Sequence, residues 1–242
     1  MAITGAAGLL ATWEAGLAEA PAGRASLLHR TARPDLDARA LPALPVGERE
    51  ADLFALRRAL FGERMQVRLE CAECGEDMEF DLDAGDFARS VGVRGESVVQ
   101  VAHDGWEAEF RLPGIADLAA AARAAEPRAA LLARCLVAAA RDGTPVTADD
   151  LPEPVRRRIA EAAEAADPGA DVTLDVACPE CGRATRAELD IASYLWTELD
   201  SWARDLLLDV HLLATAYGWS EPEILALSPL RRRYYLEMCA DV

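Results

Sequence analysis

Apolar residues recur along this chain in two periods, and the places where the period changes mark its elements. At 8–20, Leu9, Leu10, Trp13 and Leu17 keep helical spacing. Pro34, Pro42 and Pro45 then interrupt regular structure. Helical spacing returns at 48–61 through Leu53, Leu56 and Leu60, with Gly62 placed to end the helix. The period then falls to two. Met65, Val67 and Leu69 alternate with polar residues up to Cys71, and far downstream Val172, Leu174 and Val176 do the same up to Cys178. Between these segments, Val98, Val99 and Val101 lead into Asp104-Gly105, and Ala108, Phe110 and Leu112 lead out, which predicts a hairpin.

Three helices are predicted after that hairpin. One is the Ala-rich stretch 115–125. The next, 127–141, opens on Pro127 and turns Leu131, Leu132, Cys135 and Leu136 inward. The third, 153–166, buries Val155, Ile159, Ala162 and Ala163 and stops at Asp167-Pro168-Gly169. Leu195, Trp196, Leu199, Trp202, Leu206, Val210, Leu213, Ala214 and Tyr217 then hold spacings of three and four for about six turns. Gly218 ends that helix, Ser220 and Glu223 form a capping box, and Ser228-Pro229 opens a last helix carrying Arg231 to Arg233.

The alternating segments frame the main candidate chemistry. Each runs into a Cys-x-x-Cys-Gly knuckle: Cys71, Cys74 and Gly75 in the first, Cys178, Cys181 and Gly182 in the second. Leu82-Asp83 and Leu189-Asp190 follow at the same offset, so the chain holds a degenerate repeat of strand, knuckle and strand. Four thiolates so delivered suit one tetrahedral zinc, and four protein ligands leave no position for water, so the ion is expected to be structural. A thioredoxin-type redox pair would need a helix after each knuckle, and alternation argues against one. The knuckles are separated by 103 residues, against roughly 15 to 20 in an ordinary ribbon. The ribbon is therefore expected to be discontinuous, with a subdomain inserted into it.

Composition narrows the function. Net charge is −17, which repels nucleic acid and anionic membranes unless the basic residues share one face. The first basic residue is Arg24, and no apolar run reaches about 20 residues, so neither a secretory signal nor a membrane span is expected. A cytoplasmic protein is expected, with Cys135 and Cys239 as reduced core thiols. His29, His103 and His211 lie in three different segments, the carboxylates are dispersed, and no phosphate loop or GxGxxG is present. No catalytic or cofactor-binding residues and no small-molecule substrate are therefore expected. Zinc knuckles with two short helices about Gly218 also fit a zinc-ribbon and helix-turn-helix regulator that binds nucleic acid. Against that, residues 190–242 carry nine acidic and four basic residues. A third and weaker reading, an enzyme, would need an open metal site or a convergent polar pocket.

Segments spread along the chain resemble the baseplate hub assembly chaperone family of T-even-type contractile-tail phages and of phage-tail-like contractile injection systems. Near the start these are Trp13-Glu14, Arg24-Ala25 and Leu27-Leu28, then Leu44-Pro45-Val46-Gly47-Glu48-Arg49, Leu56-Arg57 and Phe61-Gly62. Both knuckles follow. The most specific stretch comes last: Asp209-Val210-His211, Leu213-Ala214, Tyr217-Gly218-Trp219-Ser220-Glu221, Ile224 to Leu227, Arg232-Arg233 and Tyr235-Leu236. The resemblance implies a non-enzymatic protein that binds baseplate or hub proteins while a contractile tail is built.

The expected fold is α+β and mostly α-helical. It comprises an N-terminal helical segment (1–63), the first half of a zinc ribbon (64–84), an inserted hairpin and three-helix subdomain (85–170), the second half of the ribbon (171–190) and a C-terminal helical region (191–242) built as a helical hairpin. One structural Zn2+ is expected on Cys71, Cys74, Cys178 and Cys181. The segment 217–238 is rich in aromatic residues, Met and Arg, as interfaces are. It is expected to supply a partner-binding patch anchored by Trp219, Arg232 and Tyr235.

Overall fold

The computed structural model describes residues 5–85, 88 and 97–240. The expected segments that reach into 1–4, 86–87, 89–96 and 241–242 lie there outside the described residues. The protein is α+β, with small antiparallel sheets among its helices. It forms two compact units, one of Met1–Thr31 with Ala192–Val242 and one of Ala32–Ile191. The N-terminal helical stretch therefore contributes to both.

The first unit is helical. It holds α1 (Ala6–Leu17), α2 (Pro21–Ala32) to its last residue but one, and the long α7 (Ile191–Tyr217) from its second residue, followed by α8 (Glu221–Leu225) and α9 (Pro229–Ala240). Leu9, Leu10 and Trp13 of α1 are buried, as are Leu195, Leu199, Leu206 and Leu213 along one stripe of α7. The Trp13 indole donates to Asp200, 2.8 Å away, which satisfies a buried N–H. Gly16 lets the Trp196 ring lie against the α1 backbone, since any Cβ there would collide with it. Helix α2 was not expected. Half of its apolar side chains are alanine, but Ala25 and Leu28 are buried at helical spacing and Pro21 fits the first turn.

The second unit contains the knuckles. Helix α3 (Val46–Phe61) leads through Gly62, at φ 84°, into the antiparallel hairpin of β1 (Arg64–Glu70) and β2 (Asp77–Asp83). Arg57 is buried and clamps the junction by donating to the carbonyls of Gly62 and Arg64, both at 2.7 Å. The Asp167 carboxylate, 120 residues away in sequence, accepts the Gly47 N–H and so caps α3 in place of Pro45.

Between the hairpins lies a four-stranded antiparallel sheet in the order β3 (Val98–His103), β4 (Trp106–Arg111), β5 (Leu136–Arg141), β6 (Thr144–Pro145). Helices α4 (Ile115–Ala121) and α5 (Pro127–Cys135) connect β4 to β5, and α6 (Glu153–Ala166) follows. This corrects two expectations. The insert is a four-stranded sheet rather than one hairpin, and the helix expected over 127–141 stops at Cys135. Residues 136–141 pair with β4 instead, with Val137 bulged out. Asp142-Gly143, at φ 49° and 78°, repeats the turn geometry of Asp104-Gly105 at 48° and 78°. Ala108, Phe110, Cys135, Leu151, Val155 and Ile159 form the core beneath the sheet. The second hairpin, β7 (Thr173–Ala177) with β8 (Ala184–Glu188), closes the unit.

Candidate metal centre

Each knuckle is a tight loop built the same way. In the first, the Cys71 N–H donates to Glu76 at 2.8 Å and the Gly75 N–H donates back to Cys71 at 2.9 Å. In the second, the Cys178 N–H donates to Arg183 and the Gly182 N–H to Cys178, at the same two distances. The loop closes on a residue with positive φ, 74° at Gly75 and 72° at Gly182, which explains the glycine after each second cysteine. Repetition in sequence has thus become repetition in backbone geometry.

The hairpins place all four cysteines together. Cys71 Sγ lies 3.7 Å from Cys181 Sγ, and Cys74 Sγ lies 3.7 Å from Cys178 Sγ. All four sulfurs fall within 4.8 Å of one another. Sulfurs at about 2.3 Å from a tetrahedral zinc stand about 3.8 Å apart, so the two 3.7 Å pairs match that spacing and the wider ones, up to 4.8 Å, are compatible with one metal ion after a small inward shift. Cys71 and Cys178 are buried with Met78 against Leu69 and Val176, while Cys74 and Cys181 face solvent.

The electrostatics fit a cation at the centre. Backbone N–H groups of Cys74 and Glu73 point at the Cys71 sulfur, and with the Thr185 hydroxyl they bring that thiol down to about 6. Cys74 is pushed up to about 12: the Glu76 N–H favours its thiolate, but the sulfurs of Cys71, Cys181 and Cys178, with some loss of hydration, outweigh it. Sulfurs this close cannot all ionise without a positive charge between them. Thr185, 7% exposed, is a contributor that sequence reasoning missed, since a threonine in an alternating strand carries no signal of its own.

The four-cysteine site lies inside a stretch that a family model covers. A model of the family described as T4 bacteriophage base plate protein matches residues 25–196. The chain belongs to that family. The base plate match spans both knuckles and the sheet between them. It ends near the start of α7, so the run Asp209–Leu236, which carries much of the sequence resemblance, lies beyond it. No curated protein matches this chain, and no solved structure does.

The three residues expected to anchor a partner lie on or against the core that α7, α8 and α9 share. Arg232 is buried at 8% exposure and donates from Nε to Asp209 at 3.1 Å. Trp219 stacks on Tyr217 at 4.7 Å, and Tyr235 meets both rings edge-on at 4.9 and 5.8 Å. Trp219 and Tyr235 also pack against Val210, Leu213 and Ile224. Arg232 is thus held within the unit, Trp219 and Tyr235 keep part of their surface open, and the exposed large apolar side chains of the segment are Tyr217, Leu230, Tyr234 and Met238. The histidines stay apart: His29 is buried in α2, His103 sits beside Asp104 at the hairpin turn, and His211 is exposed on α7. A hollow over the β1–β2 hairpin is lined by Gln66, Val67, Arg68, Glu79, Phe80 and Asp81. Its charges are paired across the strands, Arg68 with Glu79, and Asp81 with Arg64 from beyond the rim. Among the described residues, no helix is long and apolar enough to cross a membrane.

Proposed function

We propose that this protein is a non-enzymatic, zinc-stabilised assembly factor of the hub assembly chaperone type, which binds other baseplate proteins in the cytoplasm while a contractile tail or injection system is built. The observation that carries the reading is membership of the base plate family across most of the chain. The cysteine cluster supports it, because four thiolates saturate the ion and give it a holding role rather than a catalytic one. Deleting the gene is expected to abolish complete baseplates while sheath and tube proteins are still made, and supplying it in trans should restore them. Normal baseplates formed in its absence would overturn the proposal.

The nucleic-acid alternative rests on the arginine triplet. Arg232 is held by Asp209 in the folded unit, and Arg233 pairs with Glu237 at 3.0 Å. That leaves little of the triplet to neutralise phosphates on a chain of net charge −17. Binding to duplex DNA at physiological salt is expected to be undetectable in a gel-shift assay. Sub-micromolar, salt-sensitive binding would instead promote the regulator, and Arg231 would be the first residue to test.

A further inference from the structure

The last helix, α9, has two faces of opposite character. One closes the core of its unit through Arg232, Tyr235, Leu236 and Cys239. The other carries Leu230, Tyr234 and Met238, which are 64%, 59% and 51% exposed. Their spacing of four puts them in one row along the helix, each step drifting about 40°. Three large apolar side chains in a solvent-facing row are left uncovered by the described residues. Polar residues edge the row, with Arg231 on one side and Arg233 with its partner Glu237 on the other.

We propose that this row is a self-association surface, on which α9 pairs antiparallel with α9 of a second copy about a two-fold axis at Tyr234. The occupant follows from the order of residues. A two-fold axis at Tyr234 sets Leu230 of one copy opposite Met238 of the other, and Tyr234 opposite itself, so the apolar row is self-complementary. The same operation brings like flanks together. Arg233 of each copy then approaches Glu237 of the other, and the ion pair now made within one helix can be shared between two. A parallel two-fold pairing brings unlike flanks together, leaving Arg233 and Glu237 of the two copies on opposite sides of the seam, where the pair cannot be shared. The net charge of −17 opposes association of the whole bodies, but screening beyond about 8 Å at physiological ionic strength confines that opposition to nearby charges. Three apolar residues per copy make a small interface, so the dimer is of the weak, concentration-dependent kind. The inference does not depend on the assembly role proposed above.

Sedimentation equilibrium on the full chain tests it. The mass of the wild type is expected to rise from one chain to two as concentration increases through the micromolar range. Tyr234→Glu should weaken that association by about 100-fold or more, because each dimer carries the charge twice at its centre, while far-UV dichroism stays unchanged. Tyr234→Cys should give a disulfide-linked dimer under mild oxidation, since only a residue on the axis meets its own copy. Leu208→Cys, exposed on α7, should not give one under the same conditions. Arg233→Glu should weaken the dimer and Arg233→Glu with Glu237→Arg should restore it. A wild type of one-chain mass at every concentration overturns the proposal, and so does a Tyr234→Glu variant that associates normally. A charge swap that fails to restore the dimer rejects the antiparallel register.

Discussion

Stripping zinc with a chelator, or replacing Cys178 by serine, is expected to melt the paired hairpins β1–β2 and β7–β8. Each hairpin has two strands, and an isolated two-stranded ribbon is marginal in water. Apart from the buried sulfurs of Cys71 and Cys178, their shared apolar cluster is Met78 with Leu69 and Val176. Met65, Val67 and Leu174 are buried farther along the strands, but at the knuckle end that cluster alone must offset the entropy of ordering the two loops. Zinc held by such ligands contributes about 10–16 kcal/mol to the folding of isolated zinc-finger peptides, so even a fraction of that dominates here. Protein purified without chelator should hold one zinc per chain by elemental analysis, and the chelated form should lose its hairpin amide protection. Cys135→Ser is the control. Cys135 is fully buried beneath the four-stranded sheet, and a hydroxyl there costs about 1–3 kcal/mol without touching the metal. Protein that carries no zinc, or that keeps its stability when chelated, would remove the metal from the fold.

The second large effect is expected at Asp117. This carboxylate is 4% exposed, receives Arg111 at 2.6 and 2.7 Å and Arg134 at 3.2 Å, and accepts the Gly114 N–H that opens α4. Asp117→Ala would leave Arg111 facing an empty hole and cost about 3–5 kcal/mol. The pH response follows from the same geometry. The Arg111 guanidinium, opposed by burial and helped by the Gly114 N–H, holds the Asp117 carboxyl down at about 2. A folded value below the unfolded one means that the stabilisation is complete above about pH 4 and is lost as pH falls through about 2. Its size is about 2 kcal/mol. Urea unfolding between those limits should show an acid limb in the wild type that is flattened in Asp117→Asn. An unchanged limb would place the acid sensitivity elsewhere.

Much of the four-cysteine cluster is legible in the sequence, because its signal is local. Cysteine spacing, the following glycine and alternating flanks lie within a few residues, and the backbone realises all three. The strand at Leu136–Arg141 is not legible in the same way. Ala138, Ala139 and Ala140 favour helix, and pairing with β4 overrides that preference. Asp142-Gly143 announces a turn, as Asp104-Gly105 does, but the alanines before it mask the strand. The buried ions are out of reach for another reason. Nothing beside Asp117 in sequence names Arg134, and nothing beside Arg232 names Asp209, 23 residues away. A charge whose partner comes from another element reads as a solvated face until the fold brings them together.

The separation of the two knuckles also orders events on the ribosome. At roughly 5–20 residues per second, synthesis takes about 5–20 s to pass from Cys74 to Cys178. For that interval the nascent chain presents two thiols with no partners. The four-stranded sheet and α6, which completes the core beneath it through Val155 and Ile159, emerge in the meantime. Local contacts form in microseconds to milliseconds, so the sheet has time to fold before the last ligands appear. Metal capture would then be a late checkpoint that tests whether the intervening hundred residues have brought their two ends within a few ångströms. A newly made chain with a misfolded insert would fail it and be left with four reactive sulfurs exposed.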